Sequence, residues 1–328
     1  MPFTTGEKAE SPAEAASAPA PAEGAPGLVA RLKDNDLVAS FLASKMTMVA
    51  AVVTVVLVAA ALFAPWIAPT DPFDPAKVDL LDSHLPPRWV EGGEARFLLG
   101  TDDQGRDLFS AVLYGLRVSL LIGALGVAFA AAIGITLGLV AGYVGGRVDA
   151  VIMRIADVQL TFPAILIALL VDGVVHALLK GASREDTAFG VLVLSIGLSF
   201  WVQYARTIRG STLVEKNKDY IQAARLVGLS PVLIMMRHVL PNVVGPVLVI
   251  LTINLGLAVI TEATLSFLGV GLPPTQPSLG TLIRIGQQFL FSGEWWIVAF
   301  PGVTLAGLVL AVNLLGDWLR DALNPKLR

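Results

Sequence analysis

Five stretches of this 328-residue chain run without a single charged side chain: Met46–Thr70, Val118–Gly146, Thr187–Ala205, Val239–Thr261 and Trp295–Gly316. Each reaches or exceeds the ~18–20 residues a helix needs to cross a hydrocarbon core. Composition agrees, with 15% charged residues against roughly 25% in ordinary soluble domains. The pattern predicts an all-α, polytopic membrane protein.

A sixth segment, about 150–171, is interrupted near its start by Arg154 and Asp157. Its charge-free part, Val158–Val171, is short enough to be a buried or re-entrant helix. Topology argues for a crossing. Lys and Arg concentrate on cytoplasmic loops, and with six spans most of the 23 basic residues fall on one side, among them Lys45, Arg147, Arg206, Arg209, Lys216, Lys218, Arg225, Arg237 and Arg320. Dropping the span would put the basic residues after position 205 on the side opposite the basic N-terminal tail. Six transmembrane helices are expected, with both termini cytoplasmic.

The chain divides accordingly. Residues 1–27 are rich in Ala, Pro, Glu and Ser and lack aliphatic periodicity, as disordered tails do. The first apolar run begins 45 residues in, too late for a secretory signal peptide. The expected parts are a cytoplasmic tail at 1–45, a first span at 46–68 ending near Trp66, and an extracytoplasmic loop with an interfacial helix at 69–117. A transmembrane domain follows at 118–319, carrying a cytoplasmic insert at 206–241, and 320–328 form a cytoplasmic end. Asp107 is placed to cap a helix. Leu108, Val112, Leu113 and Leu116 give its first turns one apolar face, suggesting that it lies along the interface before entering near Val118.

The insert is the most specific feature. Asp219 and Gln222 stand three apart, as the ends of a capping box do, and Gly228 supplies a C-terminal stop. Ser230-Pro231 restarts a helix with proline at the first position, and Pro241 is expected to close it. Two short helices around a glycine, with the small pair Ala223 and Ala224 on the first, make a knob for a soluble partner to grip.

Other residues admit two readings each. Ala130, Gly134, Gly138 and Gly142 recur every four positions, which lets helix backbones approach closely, either within this subunit or against another. Arg154 and Asp157 are i,i+3 on one helix face: a self-neutralising pair, or part of an inner gate, since ionisable groups at membrane depth usually face protein or water. Phe162-Pro163 marks a kink or a hinge. Glu262 lies roughly 28 Å up its helix from Val243 at 1.5 Å per residue; it either makes a structural hydrogen bond or lines the outer mouth of a pathway. Thr101–Asp107 holds three aspartates but lacks the alternating ligands of an EF-hand, so a turn and cap is expected. There is no cysteine, hence no thiolate metal site, and no cofactor is expected in this chain.

The insert resembles the EAA motif of permease subunits in binding-protein-dependent ABC importers: Glu-Ala-Ala, then a glycine, then Leu-Pro. Here Gln222-Ala223-Ala224 precede Gly228, and Leu240-Pro241 fall at the family's distance; Gln222 replaces the motif's Glu and His238 an aliphatic residue. Three further strings are similar to the second permease subunit of dipeptide and oligopeptide importers: Gly100–Asp107, Thr261–Gly269 and Asn313–Asp317. The resemblance implies a bacterial inner-membrane permease for di- or oligopeptides. It implies as partners a second, different permease chain, cytoplasmic ATPases using ATP and Mg, and an extracytoplasmic solute-binding protein. It further implies that Tyr220, Gln222, Ala223, Ala224, Gly228, Leu240 and Pro241 couple to the ATPase, while Arg154, Asp157, Phe162 and Glu262 are pathway or gate candidates. The same permease type serves importers of nickel, glutathione and other small solutes.

Rival classes fit less well. A phosphate-cradling loop needs Gly-Lys-Ser/Thr, and no Gly-Lys pair occurs, so the chain is not expected to be an ATPase or any other enzyme. The insert mimics a helix-turn-helix, but Val232-Leu233-Ile234-Met235-Met236 offers nothing to read base edges, so no nucleic-acid partner is expected beside membrane lipid. An ion-coupled secondary transporter would show a repeat between halves, and none is evident.

Overall fold

The computed structural model describes residues 36–179 and 183–322, and among them every regular element is helical. The expected disordered tail, 1–27, and residues 323–328 of the expected C-terminal segment lie outside the described residues. Two units divide the chain, Met1–Ala43 and Ser44–Arg328. Of the first, one short helix is described, α1 (Asp36–Ala43), so the expected tail contains helix before it ends.

In the second unit, α2 (Lys45–Leu62) starts on Ser44, whose Oγ accepts from the Thr47 N–H at 3.2 Å. A one-turn helix, α3 (Ala64–Ile67), follows. Helix α4 (Leu108–Val144) has 37 residues, roughly 55 Å at 1.5 Å per residue. Asp107 caps it, Oδ2 accepting from the Ser110 N–H at 2.9 Å, so Thr101–Asp107 is a turn and cap. The expected interfacial course is not taken. Leu108, Val112, Leu113 and Leu116 are buried, and the helix runs unbroken through Val118. Their apolar face is covered by Leu279, Leu282 and Trp296, which come from elements more than 160 residues downstream.

Helices α5 (Gly146–Gln159) and α6 (Ala164–Leu178) are bent by 100° at the break between them. Pro163 lacks an N–H and disfavours helix at Phe162, so the expected kink is a full break. Helix α7 (Arg184–Glu215) returns beside α4. Beyond the insert come α11 (Gly245–Phe267), α12 (Leu279–Phe289) and α13 (Trp296–Ala322). Among the described residues, five helices (α2, α4, α7, α11, α13) are long and apolar enough to cross a membrane, and the α5–α6 pair makes a sixth when counted as one bent crossing.

The most extensive helix contact is α4 against α7, and the small-residue stripe explains it. A Cβ on Gly134 would stand 2.4 Å from the Trp201 carbonyl oxygen, and one on Gly138 2.4 Å from that of Ala205. The stripe therefore serves packing inside the chain and is not available to another subunit. Backbones this close exclude any larger residue.

Candidate functional site

Helix α8 (Asp219–Leu226) follows α7 after a three-residue turn and starts on Lys218, without a side-chain cap bond. The expected capping box is absent. Asp219 is the first helical residue and not the cap, and Gln222 Nε2 instead reaches the Lys216 carbonyl at 3.5 Å. Gly228 does end the helix. Its φ is +83°, and the N–H groups of Gly228 and Leu229 donate to the Arg225 and Ala224 carbonyls at 3.0 and 3.2 Å, the two bonds of a Schellman turn. Ser230 caps the next helix, α9 (Pro231–Ile234), its Oγ accepting from the Leu233 N–H at 3.3 Å.

Pro241 does not close this second helix. Met235–Val239 form a π turn in which the Leu240 N–H bonds to the Met235 carbonyl, and the chain continues as α10 (Leu240–Val243). Proline removes one i→i−4 donor, and a locally widened turn accommodates that loss. The His238 carbonyl nearby accepts from Asn242 Nδ2 at 2.6 Å.

Ala223 and Ala224 face apart, because neighbouring helix residues differ by about 100°. Ala224 is buried with Ile221, Ile234 and Val239 in one cluster with Leu139 of α4 and Ile208 of α7. Ala223 is exposed, as are Gln222 and Gly228. The expectation that both alanines meet a partner is thus corrected: Ala224 fills the chain's own core. Sequence reasoning missed the crest of the knob. Leu226 is 89% and Val227 79% exposed, and Val232 and Met236 stand out beside them. The signal was available, since Leu226 and Val227 stand directly before the Gly228 turn, where a surface turn is usually polar.

The knob is bound firmly to the helices beneath it. Tyr220 donates from its hydroxyl to Glu215 Oε1, accepts from Asn242 Nδ2 at 3.1 Å, and so links α7, α8 and α10. Partial burial and the Glu215 acceptor push its phenol up to about 12. The Arg225 guanidinium lies 5.2 Å over the Tyr143 ring near the end of α4, a cation–π contact. Lys216 Nζ donates to the Gly142 carbonyl at 2.7 Å.

The stem α7 in turn holds α5. Arg209 pairs with Asp149 through two bonds of 2.5 and 2.6 Å, Arg206 Nη2 with Asp157 Oδ1 at 2.5 Å, and Trp201 Nε1 with Gln159 Oε1 at 2.6 Å. The expected Arg154–Asp157 pair is not formed. Asp157 turns to Arg206, and Arg154 instead faces a groove of about 630 Å³ at the α5–α6 bend, with Ile155, Val158, Phe162, Leu166 and Leu198. Arg154 and Phe162 thus come together, and Asp157 lies on the same helix. Glu262 is separate and fully buried. Ser119 and Ser266 each donate to it at 2.7 Å, and Ser119 also accepts from the Leu279 N–H at 3.2 Å. It therefore ties α4, α11 and α12 inside the packing and does not stand at an open mouth.

Residues 134–328 match the family described as the binding-protein-dependent transport system inner membrane component, and residues 35–87 match the N-terminal TM domain of oligopeptide transport permease C. The chain is 40% identical to the dipeptide transport system permease protein DppC of Escherichia coli K12, over 88% of this chain and 91% of that one. It is 38% identical to the di/tripeptide transport system permease protein DppC of Pseudomonas aeruginosa, over 82% and 84%. It is 37% identical to the DppC protein of Haemophilus influenzae, over 81% and 86%. Among solved structures, a chain of the MetNI methionine ABC transporter in an inward-facing conformation superimposes with a TM-score of 0.52 at 18% identity, over 65% of this chain and 96% of that one. That likeness shows a shared fold.

Proposed function

The chain belongs to the family of binding-protein-dependent transport system inner membrane components, and from that membership we propose how it works as the permease subunit of an ATP-driven peptide importer. The observation that carries the peptide reading is its 37–40% identity, along more than four fifths of its length, to permeases of dipeptides and tripeptides. In this reading its partners are a second permease chain, ATPase subunits that use ATP and Mg, and a solute-binding protein on the outer side. Both termini and residues 206–241 face the cytoplasm, a reading supported by the basic residues of that side. The working parts follow the expected division except that the transmembrane domain begins at Leu108, where α4 begins, and not at 118.

The knob is the coupling element. Its crest of Leu226, Val227, Val232 and Met236, with Ala223 and Gln222 beside it, suits an apolar cleft in an ATPase. Tyr220, Gly228, Leu240 and Pro241 shape the knob and do not themselves grip. Closure of the ATPases would move the knob, and α7 would carry that motion through its three side-chain pairs to α5. The α5–α6 bend, with Arg154 and Phe162 on its groove, then serves as the gate. This chain's work is mechanical, and hydrolysis is done by its partners.

The test is uptake in proteoliposomes holding this chain with its ATPase, second permease and binding-protein partners. Labelled dipeptide should accumulate only with ATP inside and binding protein outside, the arrangement an importer has in the cell. Accumulation of nickel or glutathione without dipeptide would overturn the peptide assignment. A cysteine at Lys216, labelled from the binding-protein side by an impermeant reagent, would overturn the orientation.

A further inference from the structure

Half of the chain's six tryptophans stand exposed at one end of the bundle. Trp66, in α3 just past the first span, is 80% exposed; Trp89, in the loop between α3 and α4, is 60% exposed; and Trp295 is exposed where α13 begins. Hydrogen bonds bring these segments to one level. The Thr70 N–H donates to Ser110 Oγ at 3.3 Å, and Trp296 Nε1 donates to the Thr101 carbonyl at 3.1 Å. Both acceptors lie at the beginning of α4, whose far end carries Tyr143 beneath the knob.

The backbone presents Trp89 outward. The Val90 N–H donates to the Pro87 carbonyl at 2.8 Å, closing a β-turn with Arg88 and Trp89 at its two central positions. The Trp89 ring meets the Phe300 ring nearly edge-on, at 6.1 Å and 89°, and Trp295 lies 6.0 Å from the same ring. Phe300 is one turn into α13, about 6 Å below its first residue. Val303 and Leu310, both exposed, continue its face, since residues three and ten positions on lie within about 80° of it around the helix. A loop residue is thus folded back against the outward apolar side of a crossing helix. Arg88 beside it is exposed and makes no ion pair among the described residues. Glu91, also exposed, follows the turn, so the tip has no net charge.

We propose that the Arg88–Trp89 turn is a membrane anchor, seated in the headgroup layer of the leaflet opposite the knob, with Trp89 and Trp295 at the edge of the acyl chains and Arg88 on lipid phosphate. Indole rings favour that layer, where one end is wet and the other apolar, and a guanidinium matches the geometry of a phosphate. A soluble protein resting on the end of the bundle would leave this cluster uncovered, because Phe300, Val303 and Leu310 descend along the side of α13 to the depth that lipid occupies. The anchor holds the 69–107 loop to the bundle edge. It rests on α13 crossing the membrane and not on what is transported.

The full-length chain is reconstituted alone into phosphatidylcholine vesicles, with and without lipid brominated near the headgroup end of its acyl chains. The emission of Trp89 is read as wild type minus Trp89→Phe, which keeps an aromatic ring on Phe300. Brominated lipid should quench that component roughly twofold, as it does indole at the interface, while aqueous iodide leaves it largely intact. Quenching by iodide and not by brominated lipid places the turn in water and overturns the proposal. Protection from both means that a protein surface, such as a second copy of the chain, covers the turn, and overturns it equally. Arg88→Glu should roughly halve the quenching by brominated lipid, because a carboxylate is repelled by phosphate; unchanged quenching overturns the role given to Arg88. The chain has no cysteine, so a spin label at Glu91→Cys gives a second reading, independent of emission. Its collisions with oxygen should exceed those with a water-soluble nickel chelate, and a label at Gln222→Cys on the knob should show the reverse. The same aqueous reading at both positions overturns the anchor.

Discussion

Arg206 Nη2 and Asp157 Oδ1 meet at 2.5 Å across 49 residues of sequence, forming the middle of three side-chain links between α5 and α7. The links run antiparallel: Asp149 to Arg209, Asp157 to Arg206, Gln159 to Trp201. They stand between the knob, which continues from the end of α7, and the α5–α6 bend with its groove. Ile221, Ala224 and Ile234 of the knob share a core with α4 and α7. A push on the knob therefore has a route to α5 through packed side chains and paired charges, beside the short turn at 216–218.

Asp157→Asn should leave stability nearly intact, because both partners are about half exposed and such pairs are worth ~0–1 kcal/mol. Transport should suffer nonetheless, with ATPase retention in pull-downs unchanged. The reversed double variant Asp157→Arg/Arg206→Asp should recover part of the uptake. Wild-type uptake by Asp157→Asn would show that this link transmits nothing.

Gly228→Val should insert normally and fail to retain the ATPase. A left-handed residue with a β-branched side chain costs about 1–2 kcal/mol, and relief comes by twisting α9 away from α8. Nothing lies within 4 Å of a Cβ at this position, so backbone conformation alone is at stake. Gly228→Asn, which tolerates that conformation, should retain most of the binding. Equal retention by the Val variant would mean that the turn does not set the knob.

The two alanines separate docking from folding. Ala224→Trp should lower the thermal midpoint, since overpacking a dense core costs ~1–3 kcal/mol. Ala223→Trp should leave the midpoint alone and block the pull-down. Should Ala223→Trp bind the ATPase as well as wild type, the contact lies on the Leu226–Val227 crest only.

Tyr220 predicts a pH limit. Its phenol titrates at about 12 in place of 10.0, so the folded knob favours the neutral form. The stabilisation this provides is complete below pH 10 and is lost as pH rises toward 12. A difference titration at the tyrosinate absorbance, wild type minus Tyr220→Phe, should show one group ionising near the upper value. A midpoint at 10 would mean that the Glu215 and Asn242 contacts do not persist in solution.

Much of this architecture was legible in order along the chain. Uncharged runs mark the spans because lipid tolerates no unpaired charge, Gly228 marks a turn only glycine enters cheaply, and Pro163 marks a break. Most of the misreadings come from partners distant in sequence. Arg154 is the sequence neighbour of Asp157, yet the partner is Arg206 on another helix. Leu108–Leu116 looked interfacial because their cover, Leu279 to Trp296, arrives far later. Glu262 has one partner, Ser266, four residues on, but the other, Ser119, lies 143 residues upstream, and no local pattern announces it. Pro241 looked terminal because a π turn that absorbs a proline has no composition of its own.

The last prediction concerns the α4–α7 contact on which the knob's stem depends. Gly138→Ala would place a methyl carbon 2.4 Å from the Ala205 carbonyl oxygen and 2.9 Å from its Cα. Backbone atoms give way only if the helices separate, so the change should cost ~1–3 kcal/mol and lower the thermal midpoint in detergent. Gly210→Ala on α7 is the control: nothing lies within 4 Å of its Cβ, and alanine gains up to ~1 kcal/mol in helix propensity. Its midpoint should hold or rise. The pair tests geometry and not glycine content, since both variants add the same methyl to a helix. If Gly138→Ala melts with wild type, the two backbones are farther apart than 2.4 Å implies, and the small-residue stripe would again be free to serve a neighbouring subunit.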